Sequence, residues 1–169
     1  MPGGMLARGF WLYVWRVTAP KGELLYIGRT GDSSSPRATA PYTRMGQHLG
    51  FSKAANSLRR LLAENGITPE SCSNFDLISY GPIYPEIGLK EGQDRVTQMD
   101  LHKPVRDKVA GLEKKLRDEL AAAGYSVLNI VHSKKLYDES DWQNVREAFA
   151  PHFPALNRST VQSARLAAR

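Results

Sequence analysis

Residues 10–17, FWLYVWRV, and 23–28, ELLYIG, are two aromatic and β-branched runs joined through APKG at 19–22. Such runs favour extended backbone, and Pro20 and Gly22 suit the second and fourth positions of a type I turn. The pair therefore predicts an antiparallel hairpin, and its register follows. If Ala19 and Gly22 close the turn, Tyr26 lies opposite Trp15 and Gly28 opposite Tyr13. Because strand side chains alternate, Tyr13, Trp15, Tyr26 and Gly28 all point to one face. Tyr13 and Tyr26 are then diagonal neighbours roughly 7 Å apart. Gly28, having no side chain, is expected to leave an empty place beside them. Arg29 points to the other face.

Beyond the hairpin the chain alternates loops and helical patterns. RTGDSSSPRATAP (29–41) is a Gly/Ser/Pro-rich loop. A short helix is expected over 42–49, and a second over 52–65, capped by Ser52 and stopped by Gly66. FDLISYGPIY (75–84) is a third strand, weakened at its end by Pro82. Residues 85–103 look like a polar loop. Pro104 suits the first turn of a long helix. That helix carries one apolar stripe, Val105, Val109, Leu112, Leu116 and Leu120, and ends at Gly124. YSVLNIV (125–131) is extended, and Ser140 with Gln143 forms a capping box for a last helix near 141–149. The expected fold is α+β: a small three-stranded antiparallel sheet flanked by helices over 9–131. A C-terminal extension, 132–169, adds one helix and a basic tail.

The chain has 169 residues and a net charge of +6, with a pI near 9.5. That balance favours an anionic partner, nucleic acid first. Arg29, Arg37, Arg44, Lys53, Arg59 and Arg60 share a stretch with one acid, Asp32, before Glu64. A single cysteine, Cys72, excludes an intramolecular disulfide and a cysteine zinc cluster. A buried, inert thiol is expected there. The longest aromatic run, FWLYVW, is too short for a membrane span. These features point to a reducing cytoplasm and no membrane partner. His102, His132 and His152 show no metal-ligand spacing.

WLY at 11–13, YIG at 26–28 and RMGQH at 44–48 together resemble the GIY-YIG nuclease family. The resemblance covers roughly residues 9–131. In that family two strands carry the tyrosines, the next helix carries Arg and His or Tyr four apart, and a later helix carries a metal-binding glutamate. An asparagine follows near the domain's end. Here Trp11 replaces the first glycine, and Tyr26 to Arg44 spans eighteen positions, longer than is usual.

The resemblance implies a metal-dependent endonuclease that hydrolyses phosphodiester bonds, in DNA before RNA, with Mg²⁺ or Mn²⁺. Its catalytic residues are then Tyr13, Tyr26, Arg44, His48 and Glu113, supported by Gly28 and Asn129. Arg29, Arg37, Lys53, Arg59 and Arg60 would contact nucleic acid. Tyr13, Tyr26 and His48 remain a group from which the general base is drawn. Amphipathic phase does not separate Glu113 from Glu119, since both flank the apolar stripe. The family's glutamate followed three residues later by a large apolar residue matches Glu113 and Leu116; the spacing to Asn129 favours Glu119 as the alternative. A non-catalytic nucleic-acid-binding module with the same fold is the alternative function.

Overall fold

The computed structural model describes residues 2–31, 35–53, 55–88, 92 and 94–157. The basic tail and part of the Ser-rich loop lie outside the described residues. Strands β1 (Gly9–Ala19) and β2 (Gly22–Arg29) form the hairpin. Their register places Tyr13 opposite Gly28 and Trp15 opposite Tyr26, as expected. Helices α1 (Pro41–Leu49) and α2 (Ser57–Glu64) follow, then strand β3 (Asn74–Pro85). Helices α3 (Arg95–Ala122) and α4 (Glu139–Phe149) complete the α-helices among the described residues. The sheet is antiparallel, in the order β2-β1-β3.

Alternation along β1 builds a three-layer α+β fold. Phe10, Leu12 and Val14, with Leu25 and Ile27 of β2, meet the α3 stripe of Val109, Leu112, Leu116 and Leu120. Trp142, Val145 and Phe149 of α4, then Phe153 and Leu156, join that same cluster. On the opposite face, Tyr13, Trp15, Val17 and Tyr26 pack with Leu58 and Leu62 of α2. Each fully buried side chain of this kind contributes about 1.5–3 kcal/mol. The C-terminal helix is thus part of the central core.

Several element boundaries differ from expectation, each for a local reason. α3 starts at Arg95, so Pro104 lies inside it and residues 95–103 are helical. Asp94 caps the helix, its Oδ1 accepting from Thr97 N–H at 2.8 Å. The inward positions of these early turns are Gln98 and His102, both buried, so no apolar periodicity marks them. α2 starts at Ser57, because the Ser52 carbonyl instead closes a turn by accepting from Ala55 and Asn56 N–H at 3.0 Å. The Ser140–Gln143 box does not form: α4 begins at Glu139, and Gln143 Nε2 donates to Glu139 Oε1 at 2.7 Å. β3 runs on through Pro82, which an edge strand tolerates. A register shift between Phe10 and Leu12 absorbs the irregularity. Cys72 is half-buried rather than buried. No helix among the described residues is long and apolar enough to cross a membrane.

Candidate active site

β2 is an edge strand, and residues 125–129 cover part of that edge. Leu25 N–H donates to Ser126 O and Leu128 N–H to Leu25 O, both at 2.8 Å. Asn129 extends this pairing with its side chain: Oδ1 accepts from Ile27 N–H at 3.0 Å and Nδ2 donates to Ile27 O at 2.8 Å. Beyond Ile27, Gly28 and Arg29 open onto a cavity of about 410 Å³. Tyr13, Tyr26, Arg44, Gln47, His48, Ser57 and Glu113 complete most of its lining. The phenols come from one sheet face and Glu113 from α3 on the other, so the cavity wraps around the edge of β2.

Gly28 works differently from expectation. A Cβ there would lie 2.5 Å from Tyr13 Cε2, Cζ and Oη. The space beside Gly28 is therefore filled by the Tyr13 ring rather than left empty. Lying flat over the strand, that ring delivers its hydroxyl to His48 Nε2 at 2.6 Å. Tyr26 approaches the same imidazole, with ring centroids 5.0 Å apart. Arg44, Gln47 and His48 share one face of α1 at i, i+3 and i+4. Arg44 Nη1 donates to Gln47 Oε1 at 3.1 Å.

Burial governs the electrostatics. It lifts the Tyr13 phenol well above its ordinary value, and the Tyr26 charge adds to this against Arg44 and Arg29. Tyr26 is pushed up to about 12, mainly by burial and then by Glu113, while a hydrogen bond with Ser57 opposes the rise. His48 falls to about 4 because it is buried and beside Arg44. A neutral imidazole receiving a phenol proton at Nε2 carries its own hydrogen on Nδ1. Glu113 is raised by burial against the pull of Arg29 and Arg44.

Arg29, expected to track nucleic acid, turns instead towards α3. Its Nε donates to Glu113 Oε2 at 2.9 Å and its Nη1 to Gly31 O at 2.6 Å. The two side chains are only 18% and 15% exposed, so this is a shielded ion pair. Glu119 does not line the cavity; it accepts from Lys115 Nζ at 2.6 Å one helical turn away. Trp11, in the place of the family's first glycine, is buried with its Nε1 donating to Ala7 O at 3.1 Å. It does not line this cavity either.

The remaining cations spread over the surface. Arg37 and Lys53 are exposed. Arg60 pairs with Glu64 and Arg59 with Glu70, each at 2.7 Å. Glu64 thus meets Arg60 one turn along α2, and Glu70, beyond the helix, folds back onto Arg59. Gln47 and Ser57 were not anticipated. Gln47 was legible as part of the Arg44–His48 face, whereas Ser57 was hidden by the misplaced start of α2.

Glu113 is the carboxylate of this cavity. Among the described residues no three His, Cys, Asp or Glu side chains form a metal-binding group. A single carboxylate suits a hydrated hard cation such as Mg²⁺, which keeps several waters and takes ligands from phosphate. It does not suit zinc, which needs three or four protein ligands. No protein-family model, curated protein or solved structure matches the chain.

Proposed function

We propose that the chain is a GIY-YIG-type nuclease that hydrolyses phosphodiester bonds in nucleic acid, DNA before RNA, in the cytoplasm. One observation supports this reading above the others. Tyr13, Tyr26, Arg44, His48 and Glu113, spread over a hundred residues of sequence, line one cavity of about 410 Å³.

Each side chain has a task there. Arg44 grips the non-bridging phosphate oxygens, for which a planar, permanently charged fork is suited. Arg29 holds Glu113 in place through the 2.9 Å ion pair. Glu113 would hold Mg²⁺ or Mn²⁺, whose charge would polarise the phosphoryl group and stabilise the leaving oxygen. Tyr13 faces the attacking water. As the water oxygen bonds to phosphorus and the ester P–O bond breaks, Tyr13 Oη takes the water proton. Its own proton passes over the 2.6 Å bond to His48 Nε2, and the leaving oxygen is protonated from solvent. Burial lowers His48 in the free protein; the negative charge of bound phosphate raises its basicity again.

The test is cleavage of single- and double-stranded DNA in Mg²⁺ or Mn²⁺, against the same reactions with chelator. Glu113→Gln is the variant of choice, because an amide oxygen still accepts from Arg29 while the carboxylate charge is lost. Wild type is expected to cut only with metal, and Glu113→Gln not to cut. Equal products from both proteins overturn the proposal.

A second reading is a non-catalytic nucleic-acid-binding module. It is favoured by the Arg29–Glu113 pair, which satisfies the carboxylate charge without a metal. It predicts binding that weakens steeply with salt and yields no product under any metal.

A further inference from the structure

Phe51 lies in the turn between two walls of the cavity. Gln47 and His48 precede it, and Ala55 and Ser57 follow it. Phe51 leaves 83% of its surface in water. One ring face is not free. The Arg59 guanidinium lies over it, 4.4 Å from the centroid. That guanidinium is itself fixed: Nε donates to Leu49 O at 2.9 Å and Nη2 to Glu70 Oε1 at 2.7 Å. The ring is therefore backed by a held cation on one side and presents its other side to solvent. An aromatic held in this way loses little freedom on binding a planar ligand.

We propose that Phe51 is a stacking platform for an unpaired nucleobase next to the scissile phosphate. The substrate is then single-stranded, or carries an unpaired nucleotide at the cleavage point. This rests on the nuclease reading above. A phosphate held by Arg44 carries its base one sugar away, and Phe51 stands in the turn that joins the cavity residues Gln47 and His48 to Ala55 and Ser57. Inside a duplex both faces of a base are covered by its neighbours, so a lone ring can receive only a base outside the stack. Stacking tolerates any base, since each has a π face. The platform selects strand state rather than sequence.

Binding measured in chelator, where no cleavage occurs, separates the platform from the chemistry. The full chain is titrated by fluorescence anisotropy with a labelled oligothymidylate and with a blunt duplex of equal length. Phe51→Ala is expected to weaken single-strand binding about 5- to 150-fold for one stacked base and to change duplex binding less than about twofold. Phe51→Trp restores single-strand affinity, and Phe51→Leu does not. Because Phe51 is exposed, these changes leave the fold intact, which an unchanged thermal midpoint verifies.

The platform is overturned if Phe51→Ala binds the single strand as wild type does, or if both substrates lose affinity equally. It is also overturned if leucine restores binding, which marks an apolar docking contact, or if wild type binds neither oligonucleotide. The two proposals fail separately. Wild type that binds through Phe51 yet never cuts in Mn²⁺ keeps the platform and removes the nuclease. Wild type that cuts single strands with Phe51→Ala unchanged does the reverse.

Discussion

Tyr13 owes its position to Gly28. With Gly28 opposite it, the ring can lie across β2 and reach His48, since any Cβ there would meet the phenol at 2.5 Å. Burial beneath this ring and the adjacent Arg44 charge keep His48 neutral, near a pKa of about 4. The unfolded imidazole titrates near 6.5. Between these values the unfolded chain binds more protons than the folded one, so stability rises with pH. The contribution is fully present above about pH 6.5 and is lost as pH falls towards about 4, at on the order of 3 kcal/mol in total. Urea midpoints measured across this window are expected to fall with acid in wild type, and clearly less in His48→Gln. Parallel curves for the two proteins count against the neutral, buried imidazole.

The long helix α3 and the segment after it reach the edge of β2 in different ways. α3 packs its stripe on one sheet face and sends Glu113 to the edge, where Arg29 meets it. It ends at Gly124, whose φ of +93° lets Gly124 N–H bond Ala121 O and Tyr125 N–H bond Leu120 O at 3.0 and 3.1 Å. The chain then turns to run beside β2, and Asn129 fixes it there by pairing with both polar groups of Ile27. Asn129→Ala leaves that N–H and C=O without their partner, at a cost of about 1–3 kcal/mol. Hydrogen exchange is expected to show faster exchange at the Ile27 amide, with the β1–β2 ladder amides retaining their protection. An unchanged rate at Ile27 speaks against this role for Asn129.

The molecule as a whole is held by a core to which both ends of the described chain contribute. Phe10 of the first strand and Phe149, Phe153 and Leu156 near the last described residue lie in one buried cluster. Tyr84 and Lys108 add polar ties to the start of α4, through Asp141 and Asp138 respectively. A chain ending at residue 135 lacks two of these phenylalanines as well as Trp142 and Val145. Losing one such aromatic costs about 3–5 kcal/mol, and a whole domain holds only about 5–15 kcal/mol. The truncated chain is therefore expected to give non-native circular dichroism and to be digested rapidly by protease. A cooperative thermal transition in that fragment contradicts a shared core.

The hairpin was legible residue by residue, because a short turn and strict side-chain alternation fix its register from local chemistry alone. The apolar stripe of α3 was legible for the same reason: its period is written in Val109, Leu112, Leu116 and Leu120. Where inward positions are polar, as at Gln98 and His102, that period is silent, so the sequence pattern predicts a loop where α3 makes its early turns. The association of Glu113 with Arg29, rather than Glu119 with the site, depended on how α3 rotates against the sheet. Its two carboxylates flank the stripe equally, and only packing decides which one reaches the edge. The stretch from Arg29 to Arg60 is rich in cations along the chain, with Asp32 its one acid. Folding turns Arg29 inward onto Glu113 and brings Glu70 onto Arg59, pairings that depend on distances chain order does not contain; the Arg60–Glu64 pair, one helical turn apart, is the local exception.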